Sequence, residues 1–440
     1  MKVLVIDADR VALDFCLRAA AAGHEVRWFR FSKKPTRDGE GFPQIEIVEN
    51  YKDSLSWAKS GLIFVTGNAK YIPEMDRLRD FGFTIFAPSV KSAELEINRA
   101  VGMQALEQIG IDVPHYETFT SLQDAEKFAR KADQGYCFKT MGSEEDKSLT
   151  FVSCDPGDLV GWLQRKIKMG MKLKGPCMLQ EKIDMLCDYG VSGWFGPEGF
   201  LTDKWQICFE HKRLMNGEKG PQTGEMASLT QYCEKEKLAD DMLIPLEPLL
   251  KKLGHRGDFA IGVGIDKKGK AWPFEFTARI GIPAFYNQTA SHAGDPVKWM
   301  KDLLSGKDSL KVSYDACLSV VMAQPPFPYD DDPSPLNEGN CIYGIDDVHE
   351  QMHLVSVMRE KGPVFKNDKV IDEEIYKTTG SYVLVATGLG KTIEDARKSV
   401  YGATDEVKFK DSIYRTDGGE KVKPLLKELH QFGYAEDLEA

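Results

Sequence analysis

The chain opens Met1-Lys2-Val3-Leu4-Val5-Ile6-Asp7, and the segments after it leave few folds open. Val3 to Ile6 is a β-branched run, residues 10 to 22 have helical spacing with an alanine-rich end, Gly23 suits a C-cap, and His24 to Phe29 is strand-like again. That is a βαβ start, which implies parallel strands. Further strands at Leu62 to Thr66 and Thr84 to Phe86 flank a helical pattern at 72 to 81, so residues 1–90 are expected to form a parallel α/β, Rossmann-like domain. The turn after the first strand reads Asp7-Ala8-Asp9-Arg10. It lacks the G-x-G-x-x-G that lets a pyrophosphate approach a helix N-terminus, which argues against a bound dinucleotide.

Residues 92 to 110 read as a charged helix ended by Gly110, and 121 to 132 as another. Tyr136-Cys137-Phe138-Lys139 is a strand ending in a lysine; a polar loop, 142 to 148, carries Lys147 and leads to a second strand, Leu149 to Ser153. Two strands and a loop with a lysine on either side make either a lid over a polyphosphate or an ordinary hairpin with solvated lysines. Met178 to Ile183 runs from an apolar strand into a polar linker whose backbone suits an adenine edge. His211-Lys212-Arg213 through Gly220-Pro221-Gln222-Thr223-Gly224-Glu225-Met226 is rich in turn formers and reads as a long exposed loop, suited to an anion or merely solvated. After a helix at 239 to 253, strands Phe259 to Asp266 and Ala271 to Ala278 are joined by the turn Lys267-Lys268-Gly269-Lys270. Alternation puts Glu275, Thr277 and Arg279 on one face, as a metal-and-phosphate constellation or a structural ion pair. From about 311 the chain restarts as an α+β unit, with strands at Ala316 to Ala323, near 341 and 364 and at Ser381 to Gly388, and a helix at 392 to 408 capped by Thr392.

A chain of 440 residues, 42% hydrophobic and 28% charged, exceeds one ordinary core and suggests several domains. Its net charge of -11 argues against a nucleic-acid surface, which usually leaves a basic stripe. The nine cysteines form no C-x-x-C pair, so buried thiols in a reducing compartment are expected in place of disulfides or zinc. With no secretory leader pattern at the N-terminus and no run of 18 apolar residues, a cytoplasmic protein without a membrane partner is expected.

These segments, in this order, resemble glycinamide ribonucleotide synthetase, also called phosphoribosylamine-glycine ligase, of the ATP-grasp superfamily. The resemblance rests on Phe86-Ala87-Pro88-Ser89 before the helix with Arg99, on Phe138-Lys139, on Gln180-Glu181-Lys182-Ile183, on His211-Lys212-Arg213 with GPQTGEM, on FEFTARIG at 274 to 281, and on SYVLVATGLGKTIEDARKSVY with Tyr414-Arg415. It implies central ATP-grasp domains over 91–310, with a lid subdomain at about 115–182, and a small C-terminal α+β domain over 311–440. It also implies ATP and Mg²⁺, with Mn²⁺ as an alternative, a small-molecule carboxylate and an amine as substrates, and a monomer or homodimer. By the same resemblance Arg99, Lys139, Lys147, Gln180, Glu181, Ile183 and Asp188 would hold ATP, and Glu275 and Thr277 the metal. Arg279 and Lys147 would serve catalysis, and Asp7, Asn68, His211, Lys212, Arg213, Thr223, Gly224 and Glu225 the substrates. The departures are uneven. Asp7, Ala8, Asp9 and Arg10 replace a glycine-rich turn with a Glu-His pair, Gly67-Asn68-Ala69 replaces Gly-Pro-Glu, Thr277 replaces Asn, Gly281-Ile282-Pro283-Ala284 replaces Gly-Asp-Pro-Glu, and Glu225 replaces a glycine. The ATP residues are kept while those expected around the usual substrates are altered, so the resemblance implies an ATP-dependent carboxylate-amine ligase with an altered substrate pocket, the alternatives being a genuine glycinamide ribonucleotide synthetase of purine biosynthesis and a non-catalytic ATP-grasp scaffold.

Overall fold

The computed structural model describes residues 1–141 and 149–440. The N-terminal sheet is all parallel, ordered Glu46–Ile47, Glu25–Arg30, Lys2–Asp7, Leu62–Val65, Ile85–Phe86, with helices Leu13–Ala21 and Ile72–Asp80 between its strands in the chain. Gly23, at φ +85°, follows the first helix as expected, since a residue with a Cβ resists that conformation.

The helix expected over 92–110 forms as two, Val90–Ile97 and Arg99–Gln108, because Asn98 leaves the helical region at φ −106° and ψ 91°. The break sets Arg99 at the start of the second helix. A four-stranded antiparallel sheet follows, in the order Tyr116–Phe119, Cys177–Glu181, Tyr136–Thr140, Phe151–Val152. Helices Leu122–Ala129 and Pro156–Lys168 close its core around Phe138, Leu159 and Leu179. The strand read at 149 to 153 is shorter than expected. Lys147 lies outside the described residues.

Residues 182–184 connect this small sheet to a nine-stranded antiparallel one. Its order begins Ala271–Thr277, Gly257–Asp266, Met185–Gly196, Trp205–Met215, Lys219–Cys233 and continues with Ala316–Ala323, Tyr382–Gly390 and Met352–Leu354. The loop expected over 211–226 is thus a correction: it is the end of a long β-hairpin that turns at residues 216–218. Turn formers misled the reading, whereas the alternation of buried Trp205, Ile207 and Phe209 is the strand signal. Strand Ala316–Ala323 pairs with Lys219–Cys233 on one side and Tyr382–Gly390 on the other, so the large sheet continues past position 311. Thr392 caps the helix Ile393–Glu406 by accepting from the Asp395 amide at 3.1 Å. A hairpin of Val357–Lys366 and Lys369–Thr379 replaces the short strand read near 364. All nine cysteines are free thiols. No helix among the described residues is long and apolar enough to cross a membrane.

Candidate functional site

One face of the large sheet is the floor of a cavity of about 220 Å³. Its rows follow from register. Cys208, Gly190, Gly262 and Glu275 stand side by side, and the next row holds Gln206, Ser192, Ala260 and Thr277. Paired residues share a face in an antiparallel sheet, so small residues in the middle strands leave room over the floor while the outer strands raise polar groups. A Cβ built on Gly262 would meet only Glu275, its Cγ at 3.8 Å and its carbonyl oxygen at 3.9 Å.

At one end, charges converge from four elements. Arg99 donates from Nη2 to Glu275 Oε2 at 3.0 Å, and Lys212 Nζ stands 3.6 Å from Glu275 Oε1 and 2.6 Å from Glu210 Oε2. Lys139 reaches across from the small sheet, donating to Gln180 Oε1 at 2.6 Å within its own sheet and to the Phe274 carbonyl of the large sheet at 3.1 Å. Burial, with Arg99 nearby, lowers the Lys139 ammonium to about 8. Burial alone would also lower Lys212, but Glu210, Glu275 and Asp188 outweigh it and hold the lysine well above its usual range. Arg99 Nη1 is buried with no hydrogen-bond partner among the described residues. An unpaired guanidinium nitrogen beside two lysines is a seat for an anion with several oxygens, such as a polyphosphate.

The alternation expected at 275–279 is observed, and Glu275, Thr277 and Arg279 all line the cavity. Arg279 Nη2 lies 3.5 Å from Glu96 Oε1, and Glu96 also accepts from the Ala278 amide at 2.8 Å, so this buried acid sets the end of the strand. Burial works against the Arg279 charge, but Glu96, Asp9, Glu275 and Asp258 together raise its proton affinity. One carboxylate and one hydroxyl, Glu275 and Thr277, form a lean donor set that fits a divalent ion carried largely by substrate phosphates and water. A second set, Cys208, Glu210 and Glu225, has its donor atoms within 4.8 Å of one another.

The basic triplet is divided by the period of its strand. Lys212 lines the cavity, whereas His211 is wholly buried against the Gly419 amide, from which its Nε2 accepts at 3.2 Å. Burial, with Lys421 and Arg415 near, lowers His211 to about 3, so it is neutral at physiological pH. Arg213 donates to the Gly220 carbonyl across the hairpin, and the Thr223 hydroxyl donates to the Lys212 carbonyl at 2.8 Å; neither side chain lines the cavity. Gly224 and Glu225 do. Glu225 accepts from the Ser228 hydroxyl, and burial, with Glu210 beside it, raises its carboxyl well above the usual range.

Asp7 and Asn68 sit at the C-terminal edge of the parallel sheet, away from the cavity lining. Asp7 accepts from the Ala12 amide at 2.8 Å, the Val11 amide at 3.2 Å, the Thr66 hydroxyl at 3.0 Å and Trp28 Nε1 at 3.2 Å, so its oxygens are consumed internally. Asp188 lines the cavity from strand Met185–Gly196, while Glu181 and Ile183 stand at the connection between the two sheets. Sequence reading passed over Gln206, Glu210, Asp258, Gln288 and Glu96. The signal available for the first two was the alternation of Gln206, Glu210 and Lys212 with the buried apolar Trp205, Ile207 and Phe209 along one strand.

Comparison with known proteins adds a frame to this geometry. Residues 317–421 match the family model for the phosphoribosylglycinamide synthetase C domain. A phosphoribosylamine–glycine ligase of Clostridium acetobutylicum is 24% identical over 391 residues, 84% of this chain and 88% of that protein. Among solved structures, a phosphoribosylamine–glycine ligase from Thermotoga maritima superposes with a TM-score of 0.68 at 18% identity, covering 95% of this chain and 100% of the other. The biotin carboxylase domain of Hydrogenobacter thermophilus 2-oxoglutarate carboxylase, solved with MgADP, ADP and bicarbonate, gives 0.60 at 13% identity over 99% of each chain.

Proposed function

We infer that the chain, which is similar to phosphoribosylamine–glycine ligases in sequence and in fold, is an ATP-dependent carboxylate-amine ligase of the ATP-grasp type using a divalent metal, Mg²⁺ in particular. The observation that carries this reading is the meeting of Lys139 from the small sheet with Arg99, Lys212 and Glu275 at one end of the cavity. A carboxylate resists amines because oxide is a poor leaving group. Transfer of the γ-phosphoryl of ATP gives an acyl phosphate, and the amine then displaces phosphate. Catalysis of that sequence is mostly alignment and charge neutralisation.

In this assignment Arg99 and Lys139 bind phosphate oxygens, with the unpartnered Arg99 Nη1 supplying a donor not engaged elsewhere. Glu275, assisted by the Thr277 hydroxyl, would hold the metal, which when bound neutralises charge between phosphates. Lys212 balances Glu275 and Glu210. Arg279, held by Glu96, orients the carboxylate to be activated. No side-chain nucleophile is required.

The acceptor differs from the pair named for the relatives. Glu225, Ile282 and Ala284 line the cavity where the family resemblance implies other groups, and the acids Asp188, Glu210 and Glu275 outnumber the lining cations Lys212 and Arg279. Such a lining disfavours an anionic substrate group and favours a neutral or cationic one. ADP release and product mass, measured with phosphoribosylamine plus glycine against a panel of amines and amino acids, test this. The standard pair is expected to react poorly; its conversion with a specificity constant of about 10⁴ M⁻¹s⁻¹ or more would refute the substrate assignment.

A further inference from the structure

The far end of the cavity holds polar groups that neither phosphates nor metal employ. Asp258 lies four residues along its strand from Gly262, the partner of Glu275, which is about 13 Å at the usual strand rise. It is 4% exposed and accepts from Gln288 Nε2 at 3.1 Å, while its Oδ1 meets no hydrogen-bond partner of normal geometry among the described residues. Gln288 is 1% exposed and its Oε1 is likewise unpartnered; Gln206 is 2% exposed with Nε2 unpartnered. All three line the cavity. The nearest lining cation, Arg279, is already engaged by Glu96 and the Ile280 carbonyl.

Buried polar atoms without partners are costly unless a ligand supplies the bond. Two of the three orphaned atoms are acceptors, one of them a carboxylate oxygen. We propose that Asp258 and Gln288, in the cavity that Gln206 also lines, form a recess that holds a cationic nitrogen of the substrate, so that the substrate carries an ammonium or guanidinium group apart from its reacting atoms. A protonated nitrogen has no lone pair for attack, so the held nitrogen is a specificity handle, and the substrate class is a diamine or a basic amino acid. Burial raises the Asp258 carboxyl to about 7 despite Gln288, Arg279 and the Gly281 and Phe259 amides, and a further positive group beside it would favour its charged form.

This rests on the ligase reading for the identity of the occupant, and the test separates the two. 1,4-Diaminobutane, 1,4-butanediol and butanedioate share a chain length and differ in charge. Each is titrated calorimetrically into the full-length protein with and without the non-hydrolysable nucleotide AMP-PNP and Mg²⁺. The diamine is expected to bind at least tenfold more tightly than the diol or the dianion. Asp258→Asn should erase that preference while leaving the AMP-PNP dissociation constant within twofold, and Gln288→Leu, on a helix instead of the sheet, should weaken the diamine about fivefold. Equal or absent diamine binding to wild-type protein, or undiminished binding to both variants, would overturn the recess. Failure to bind nucleotide would instead remove the ligase reading, leaving the probes without nucleotide to judge the recess.

Discussion

Lys139 shows how one residue can carry two duties. Its Nζ links the small sheet to the large one through the Phe274 carbonyl, yet burial holds its proton affinity near 8. For a lysine the lowered value means that the charged form, which a triphosphate requires, is present below about 8 and is lost as the pH rises through it. Nucleotide affinity of the wild-type protein is therefore expected to fall between pH 7 and 9, and the profile should flatten in Lys139→Met. A steep profile in that variant would assign the titration to another group. Several residues of this end were legible in the sequence: Lys139 at a strand end, and Glu275, Thr277 and Arg279 by alternation. Asp258, Gln288 and Glu96 were not, because each comes from a different element and nothing local marks it as facing the same space.

Among elements, the strands of the cavity floor make the sharpest contrast. Gly262 and Gly264 are two residues apart on one strand, but an added Cβ at Gly262 makes ordinary contact with Glu275, whereas at Gly264 it would stand 2.2 Å from Met185 Sδ and 2.6 Å from the Phe274 ring. Gly264→Val should thus lose about 1–3 kcal/mol of stability through overpacking, read as a lower melting temperature. Gly262→Val should melt close to wild type while losing ligase turnover at least tenfold, because its methyls would occupy the floor beside Glu275. Normal turnover in folded Gly262→Val would show that the floor is not where substrates lie. The N-terminal parallel sheet was readable because its strands are apolar runs separated by helical spacing. The hairpin at 205–233 was misread because glycine, proline and polar residues suggest a loop, while its strand character depends on neighbouring strands that the local sequence does not announce.

Across the whole molecule, two sheets joined by residues 182–184 meet where Lys139 reaches the Phe274 carbonyl, and the side chains gathered there come from segments far apart in the chain. Arg99 lies 176 residues from Glu275, and Lys139 lies 135 from Phe274. No local signal gives such pairings; their order along the chain carried the resemblance, and the fold supplied the geometry. This junction is assigned as the site for nucleotide and metal together. The most direct test is calorimetric titration of AMP-PNP, with and without Mg²⁺, into wild type, Lys139→Ala and Glu275→Gln, each checked for folding by circular dichroism. Wild type should bind with Mg²⁺ enhancing affinity, Lys139→Ala should bind at least tenfold more weakly, and Glu275→Gln should lose the enhancement. Unchanged affinity in Lys139→Ala together with full Mg²⁺ dependence in Glu275→Gln would contradict the assignment.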